Sequence, residues 1–159
     1  MKPLIACVSI HHGNTLKIAE AMAEVLKAEI LSPRQTLTKR LSDYDLIGLG
    51  SGIYFGKHHR SLLELAEKLP RSGKIRVFIF STSGIPEIPI IHNYHKPLRK
   101  ILAEKGLRIV GEFSCRGFTD HWPLNLIGGI NHGRPNEVDL DKAREFAERL
   151  LTSSGSQFI

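Results

Sequence analysis

The sequence predicts an α/β fold in which a parallel sheet carries helices on both faces. Three observations predict it: five short apolar runs rich in β-branched or aromatic residues, four segments with apolar residues at helical spacing, and the alternation of the two along the chain. The order reads β-α-β-β-α-β-α-β-α. The 159 residues suit one domain over 1–152, with a serine-rich tail over 153–159 expected to fray. A hydrophobic fraction of 42% with 24% charged residues is the mixture of a globular chain with a sizeable core.

Taken in order, the first strand is Leu4 to Ser9, and the helix after it carries Ile18, Met22, Val25 and Leu26 on one stripe. A weak second strand near Ile30 is short and suits an edge. The third strand runs from Leu46 to Ser51. A helix from His58 to Leu69 then aligns Leu62, Leu65, Ala66 and Leu69, and Pro70 and Gly73 close it. The fourth strand is Ile75 to Ser81. Leu98, Ile101 and Leu102 mark the next helix, which Gly106 follows. The fifth strand is Arg108 to Cys115. The last helix presents Leu140, Ala143, Phe146, Ala147, Leu150 and Leu151, with Asp139 expected as its N-cap.

Only one connection is long, Arg116 to Val138. Its Trp122, Leu124, Leu126 and Ile127 predict a packed lid. Cys7 and Cys115 form no CxxC and are expected to be buried thiols. No apolar run is long enough to span a bilayer, and no signal peptide precedes the first strand, so a cytoplasmic location is expected. The formal charge of +6 suits an anionic ligand, an acidic partner or loose nucleic-acid binding. Basic residues are dispersed and no arginine-rich tail stands out, so nucleic acid is not the expected partner. The histidines include His58-His59, His92, His95, His121 and His132, but they form no tight ligand motif and no metal is expected.

In an open parallel sheet, ligands bind beyond the carboxyl ends of the strands. Here those ends are Ser9, Ser51-Gly52 and Ser81-Thr82-Ser83-Gly84, hydroxyls and glycines that converge where a ligand would sit. Ser9-Ile10-His11-His12-Gly13-Asn14-Thr15 joins a strand to a helix, aiming free backbone N–H groups and the positive end of the helix dipole at one point. That point suits a phosphate. A receiver domain would need an acidic pair after strand one and an acceptor Asp after strand three, where Ser9 to His12 and Ser51-Gly52 stand. A P-loop kinase would need GxxxxGK[ST], which is absent.

The spacing Ser-x-His-His-Gly-Asn-Thr at the head of a helix resembles the phosphate-binding loop of the flavodoxin family. The stretch from Leu49 through Ser51, Gly52, Ile53, Tyr54, Phe55, Gly56 and Lys57 is similar to that family's second flavin loop, and Ser81 to Gly84 to its third. The resemblance spans nearly the whole chain. It implies a flavodoxin-like three-layer sandwich with a five-stranded parallel sheet of order 2-1-3-4-5, binding FMN above strands one, three and four. It sets the phosphate against the amides of His11, His12, Gly13, Asn14 and Thr15 and the side chains of Ser9, Asn14 and Thr15. The flavin ring would lie between Gly52 to Gly56 and Thr82 to Glu87, taking in Ser83 and Gly84, with Tyr54 or Phe55 stacked on it or else plugging the sheet edge. His92, Tyr94 or His95 would border the ring or serve at the surface or as helix caps.

Two departures stand out. His11 and His12 replace the usual hydroxyl residues, so imidazole N–H groups are expected at the phosphate, with binding that weakens as pH rises through the imidazole titration. The basic charge also differs from the acidic surface typical of the family. The resemblance implies an FMN-binding redox protein that exchanges electrons with a partner protein or a small-molecule acceptor. The alternatives are an FMN-dependent oxidoreductase working beneath the lid on a quinone or porphyrinogen, and a flavin-free interaction module. Gly56-Lys57-His58-His59 looks like menaquinone-linked protoporphyrinogen dehydrogenases of this fold. A homo-oligomer is left open.

Overall fold

A computed structural model describes residues 1–85, 93–121 and 123–153. The elements are β1 (Pro3–Val8), α1 (Asn14–Leu26), β2 (Glu29–Leu31), α2 (Pro33–Thr36), β3 (Leu46–Tyr54), β4 (Lys57–His58), α3 (Arg60–Lys68), β5 (Arg76–Ser83), α4 (Lys96–Glu104), β6 (Arg108–Arg116) and α5 (Glu137–Thr152), with 3₁₀ turns at Leu41–Asp43 and Leu124–Ile127. The main sheet runs β2-β1-β3-β5-β6, all parallel. This is the predicted order 2-1-3-4-5 once the small strand β4 is counted.

Alternation along the buried strands sends side chains to two separate cores. Leu4, Ala6, Ile47, Leu49, Val77 and Ile79 pack with Leu62, Leu65 and Leu69 of the α3 segment and Leu98 and Leu102 of α4. Ile5, Cys7, Phe78 and Phe80 pack with Ile18 and Met22 of α1 and Ala143, Phe146 and Leu150 of α5. On this second face β3 supplies Gly48 and Gly50. A Cβ on either would stand 2.3 Å from the Phe78 ring or 2.1 Å from the Phe80 ring, so the two glycines are the slots that let these phenylalanines lie across the sheet.

Four local expectations are corrected. The helix expected from His58 starts at Arg60, because Ile53–Tyr54 turns back through Phe55-Gly56 and pairs antiparallel with Lys57–His58 as β4. The N-cap of α5 is Asn136 rather than Asp139. Asn136 accepts the Asp139 N–H at 3.1 Å, and Asp139 sits at the third helical position, where it returns a bond to the Asn136 N–H and pairs with Arg134. The one-turn helix α2, capped by Ser32 with Gln35, is an addition to the predicted elements. The long connection is only partly packed: Leu126 and Ile127 are 75% and 72% exposed, while Trp122 lies outside the described residues. Cys7 is buried as expected but Cys115 is half-buried, and burial pushes both thiols up to about 12. His92 and 154–159 lie outside the described residues.

Candidate functional site

The strand ends meet at one level. Val8 is in register with Ser51, Ser51 with Ser81, and Ser81 with Ser114, so the loops after β1, β3, β5 and β6 leave the sheet side by side. Together they line a narrow cleft of about 60 Å³ that opens to solvent. The first loop contributes His11, Asn14 and Thr15; the second Gly52, Ile53 and Tyr54; the third Thr82, Ser83 and Gly84. The three loops singled out from sequence therefore share one cavity.

The first loop turns through two consecutive left-handed residues, His12 at φ 54° and Gly13 at φ 65°, into α1. Gly13 occupies the N-cap and no side chain caps the helix, which leaves its first N–H groups free for a ligand. Ser9 Oγ is shielded from solvent and has no hydrogen-bond partner among the described residues, and Ser9 does not itself line the cleft. A buried hydroxyl without a partner is costly in a finished fold and is a mark of a group that a ligand satisfies.

The other expected contacts are distributed differently. Thr15 and Thr82 share a buried hydrogen bond of 2.8 Å that ties the first loop to the third, and Asn14 donates to the Phe118 carbonyl at 2.8 Å. His11 lines the cleft and meets His121 edge-on at 4.5 Å between ring centres. His12 turns away to Asp120, 2.9 Å from its Nε2, and lines a separate groove with Lys17 and His132. Its contact holds the Asp120 carboxyl below the usual range. Tyr54 lies across Gly52 and burial raises its hydroxyl; Gly52 has room for no side chain beneath it, because a Cβ there would be 2.9 Å from that hydroxyl.

Phe55 stands at the tip of the β3–β4 hairpin, fully exposed, with φ 51°. A non-glycine residue in that region costs about 1 kcal/mol or more. With Gly56 at φ 76° it forms the turn, and both residues border an apolar groove of about 300 Å³ next to the cleft, lined also by Ile85, Tyr94 and Leu124. Glu87 lies outside the described residues.

Ser51 faces away from the cleft. Its Oγ donates to the Gly52 carbonyl at 2.7 Å and accepts the His59 N–H at 3.0 Å, and it meets His58 Nδ1 at 2.9 Å. Since the hydroxyl has one hydrogen, His58 carries its proton on Nδ1, and its buried Nε2 has no partner among the described residues. Ser81 likewise points below the sheet, to His95 Nε2 at 2.8 Å, and His95 Nδ1 meets Glu112 at 2.8 Å. This Ser-His-Glu line has the spacing of a hydrolytic triad, but Ser81 is wholly buried, so it braces the segment entering α4 rather than attacking a substrate. His95 thus lies away from the cleft, and Tyr94 lines the neighbouring groove rather than the cleft itself.

Burial, with His95 beside it, pushes the His58 imidazole down from 6.5 to about 3. The unfolded chain takes up a proton that the fold refuses, so this stability is present above about pH 6.5 and is lost at about 1.4 kcal/mol per unit as pH falls toward 3. Urea unfolding should show the parent losing about 2 kcal/mol more between about pH 7 and pH 5 than His58→Phe. Equal losses would contradict the assignment.

The sequence missed the fourth loop as part of the cleft. Gly117, Phe118, Thr119 and His121 complete the cavity, and Asn131 Nδ2 donates to the Gly84 carbonyl at 2.8 Å, holding this segment against the third loop. The signal was present: Gly117 follows the end of β6 just as Gly84 follows the end of β5.

Residues 4–117 match the family model described as Flavodoxin domain. An uncharacterized protein of Methanocaldococcus jannaschii is 46% identical over 151 residues, covering 95% of this chain and 99% of its own. Among solved structures, oxidised Flavodoxin 1 from Bacillus cereus aligns with TM-score 0.69 at 15% identity, over 95% of this chain and 98% of that one. A flavodoxin from the domain Archaea aligns with TM-score 0.65 at 15% identity, over 96% and 98%. At these identities the structural likenesses show the fold. Among the described residues no helix is long and apolar enough to cross a membrane, and no group of three or more His, Cys, Asp or Glu is placed to hold a metal.

Proposed function

The chain belongs to the flavodoxin-domain family, and from that premise we propose that it binds FMN in the cleft at the strand ends and exchanges electrons through it. The observation that carries the reading is a shielded Ser9 hydroxyl, without a partner among the described residues, on the loop that leads into an uncapped helix start, the two things a phosphate would satisfy. The amides from His11 to Thr15 would hold the phosphate with Ser9. Gly52 to Gly56 and Thr82 to Gly84 would flank the ring, with Tyr54 against one face and Phe55 free to close on its edge. Bound FMN supplies one- or two-electron chemistry. The protein fixes its position, excludes water from its inner face and sets the charge around it. His11 and His121 are the imidazoles nearest the cleft; His12, tied to Asp120, is a weaker candidate for phosphate contact.

A second reading, turnover of a small apolar acceptor such as a quinone or porphyrinogen, is favoured by the groove beside the cleft. A cytoplasmic setting and free thiols suit both. The test is reconstitution: purified chain mixed with FMN and desalted should stay yellow, bleach with dithionite and recover its colour with an added acceptor. A colourless product would overturn the flavin reading.

A further inference from the structure

We propose that the mouth of this cleft is a docking face for an acidic electron-transfer protein, an inference that rests on the flavin reading above. Two features of the same edge point to it. The first is an apolar centre. Phe55 is fully exposed on its hairpin tip, and Leu126, Ile127 and Ile85 are 75%, 72% and 53% exposed on the neighbouring segments. Phe55, Ile85 and Leu124 border one groove, which shares Ile53, Ser83, Gly84 and Thr119 with the cleft itself.

The second is a rim of cations with few acids to answer them. Lys57 follows the Phe55-Gly56 turn, Lys17 and Lys96 lie in the first turns of α1 and α4, Arg116 ends β6, and Lys142 stands in α5 beside Arg116 in one groove. All five are exposed, and none has an ion-pair partner among the described residues. Among the described residues the acids of this edge are mostly engaged: Asp120 with His12, Asp139 with Arg134, Asp141 with Arg144, leaving Glu137 exposed at the start of α5.

An apolar centre within a charged rim is the anatomy of a protein–protein contact. The sign of the rim selects the partner: it speeds encounter with an acidic surface and repels a basic one, more strongly at low salt. A neutral small molecule would gain nothing from five cations that have no ion-pair partner among the described residues. Across such a face one electron passes between bound flavin and the partner's metal centre, each changing by one electron in opposite senses, with no atom transferred.

The test uses the full chain before and after FMN is added, with a fluorescently labelled acidic [2Fe–2S] ferredoxin as probe and basic cytochrome c as its counterpart. Anisotropy should show ferredoxin binding that weakens about tenfold as salt rises from about 50 to about 200 mM, and weaker binding of cytochrome c throughout. Lys57→Glu with Arg116→Glu should weaken ferredoxin binding at least about tenfold at low salt and slow electron transfer by a similar factor. Lys27→Glu with Lys68→Glu changes net charge equally at the opposite end of α1 and α3 and should cost less than about twofold. Equal losses from the two pairs, tighter binding of cytochrome c, or no ferredoxin binding would overturn the docking face. Failure to take up FMN, with ferredoxin binding intact and patch-dependent, would overturn the cofactor reading alone.

Discussion

Ser9→Asp weakens FMN binding by more than about a hundredfold while leaving riboflavin, which lacks the phosphate, nearly unaffected. The new carboxylate would stand beside the amides proposed to hold the phosphate, and two like charges at close range near a protein surface repel by about 3 kcal/mol or more. Ser9→Ala is the gentler companion. Ser9 Oγ makes no hydrogen bond among the described residues, so its removal should leave unfolding free energy unchanged or slightly raised. Its loss from a charged acceptor should still cost FMN about tenfold. Calorimetry with both ligands, together with urea unfolding of both variants, checks these outcomes. A Ser9→Ala protein that is less stable but binds FMN as well as the parent would show that the hydroxyl serves the fold instead.

Gly50→Val destabilises the chain by about 3 kcal/mol, at the upper end of what overpacking costs. The new Cβ would fall 2.1 Å from the Phe80 ring, which is fully buried and cannot move aside without displacing its neighbours on α1 and α5. Thermal or urea unfolding measures the loss. Gly50→Val combined with Phe80→Leu should recover part of it, since the slot and the ring that fills it are one packing unit. A single variant as stable as the parent would contradict the packing described here.

Much of the architecture is legible in the chain because its three central strands β1, β3 and β5 are buried on both faces and its helices on one, so apolar runs and apolar stripes separate cleanly. The cleft is legible for a related reason: a hydroxyl or glycine ends each central strand, where the sheet opens to a ligand. What the sequence hides is direction. Ser51 and Ser81 share a face with Leu49 and Ile79, and so point toward α3 and α4, where His58 and His95 receive them. Strand alternation, applied one residue further, would have set those two serines apart from Thr82. The hairpin at Phe55 was invisible because phenylalanine is a poor choice for a left-handed turn residue, and nothing local announces it. Pairings such as His12 with Asp120, across 108 positions, arise only from the closed fold.

Calorimetric titration of the full chain with FMN and with riboflavin isolates the contribution of the phosphate. One FMN should bind per chain, with riboflavin weaker by at least about a hundredfold, because a phosphate dianion on free amides and a hydroxyl carries much of the affinity. No heat with FMN, or equal affinity for the two, would contradict that role for the phosphate.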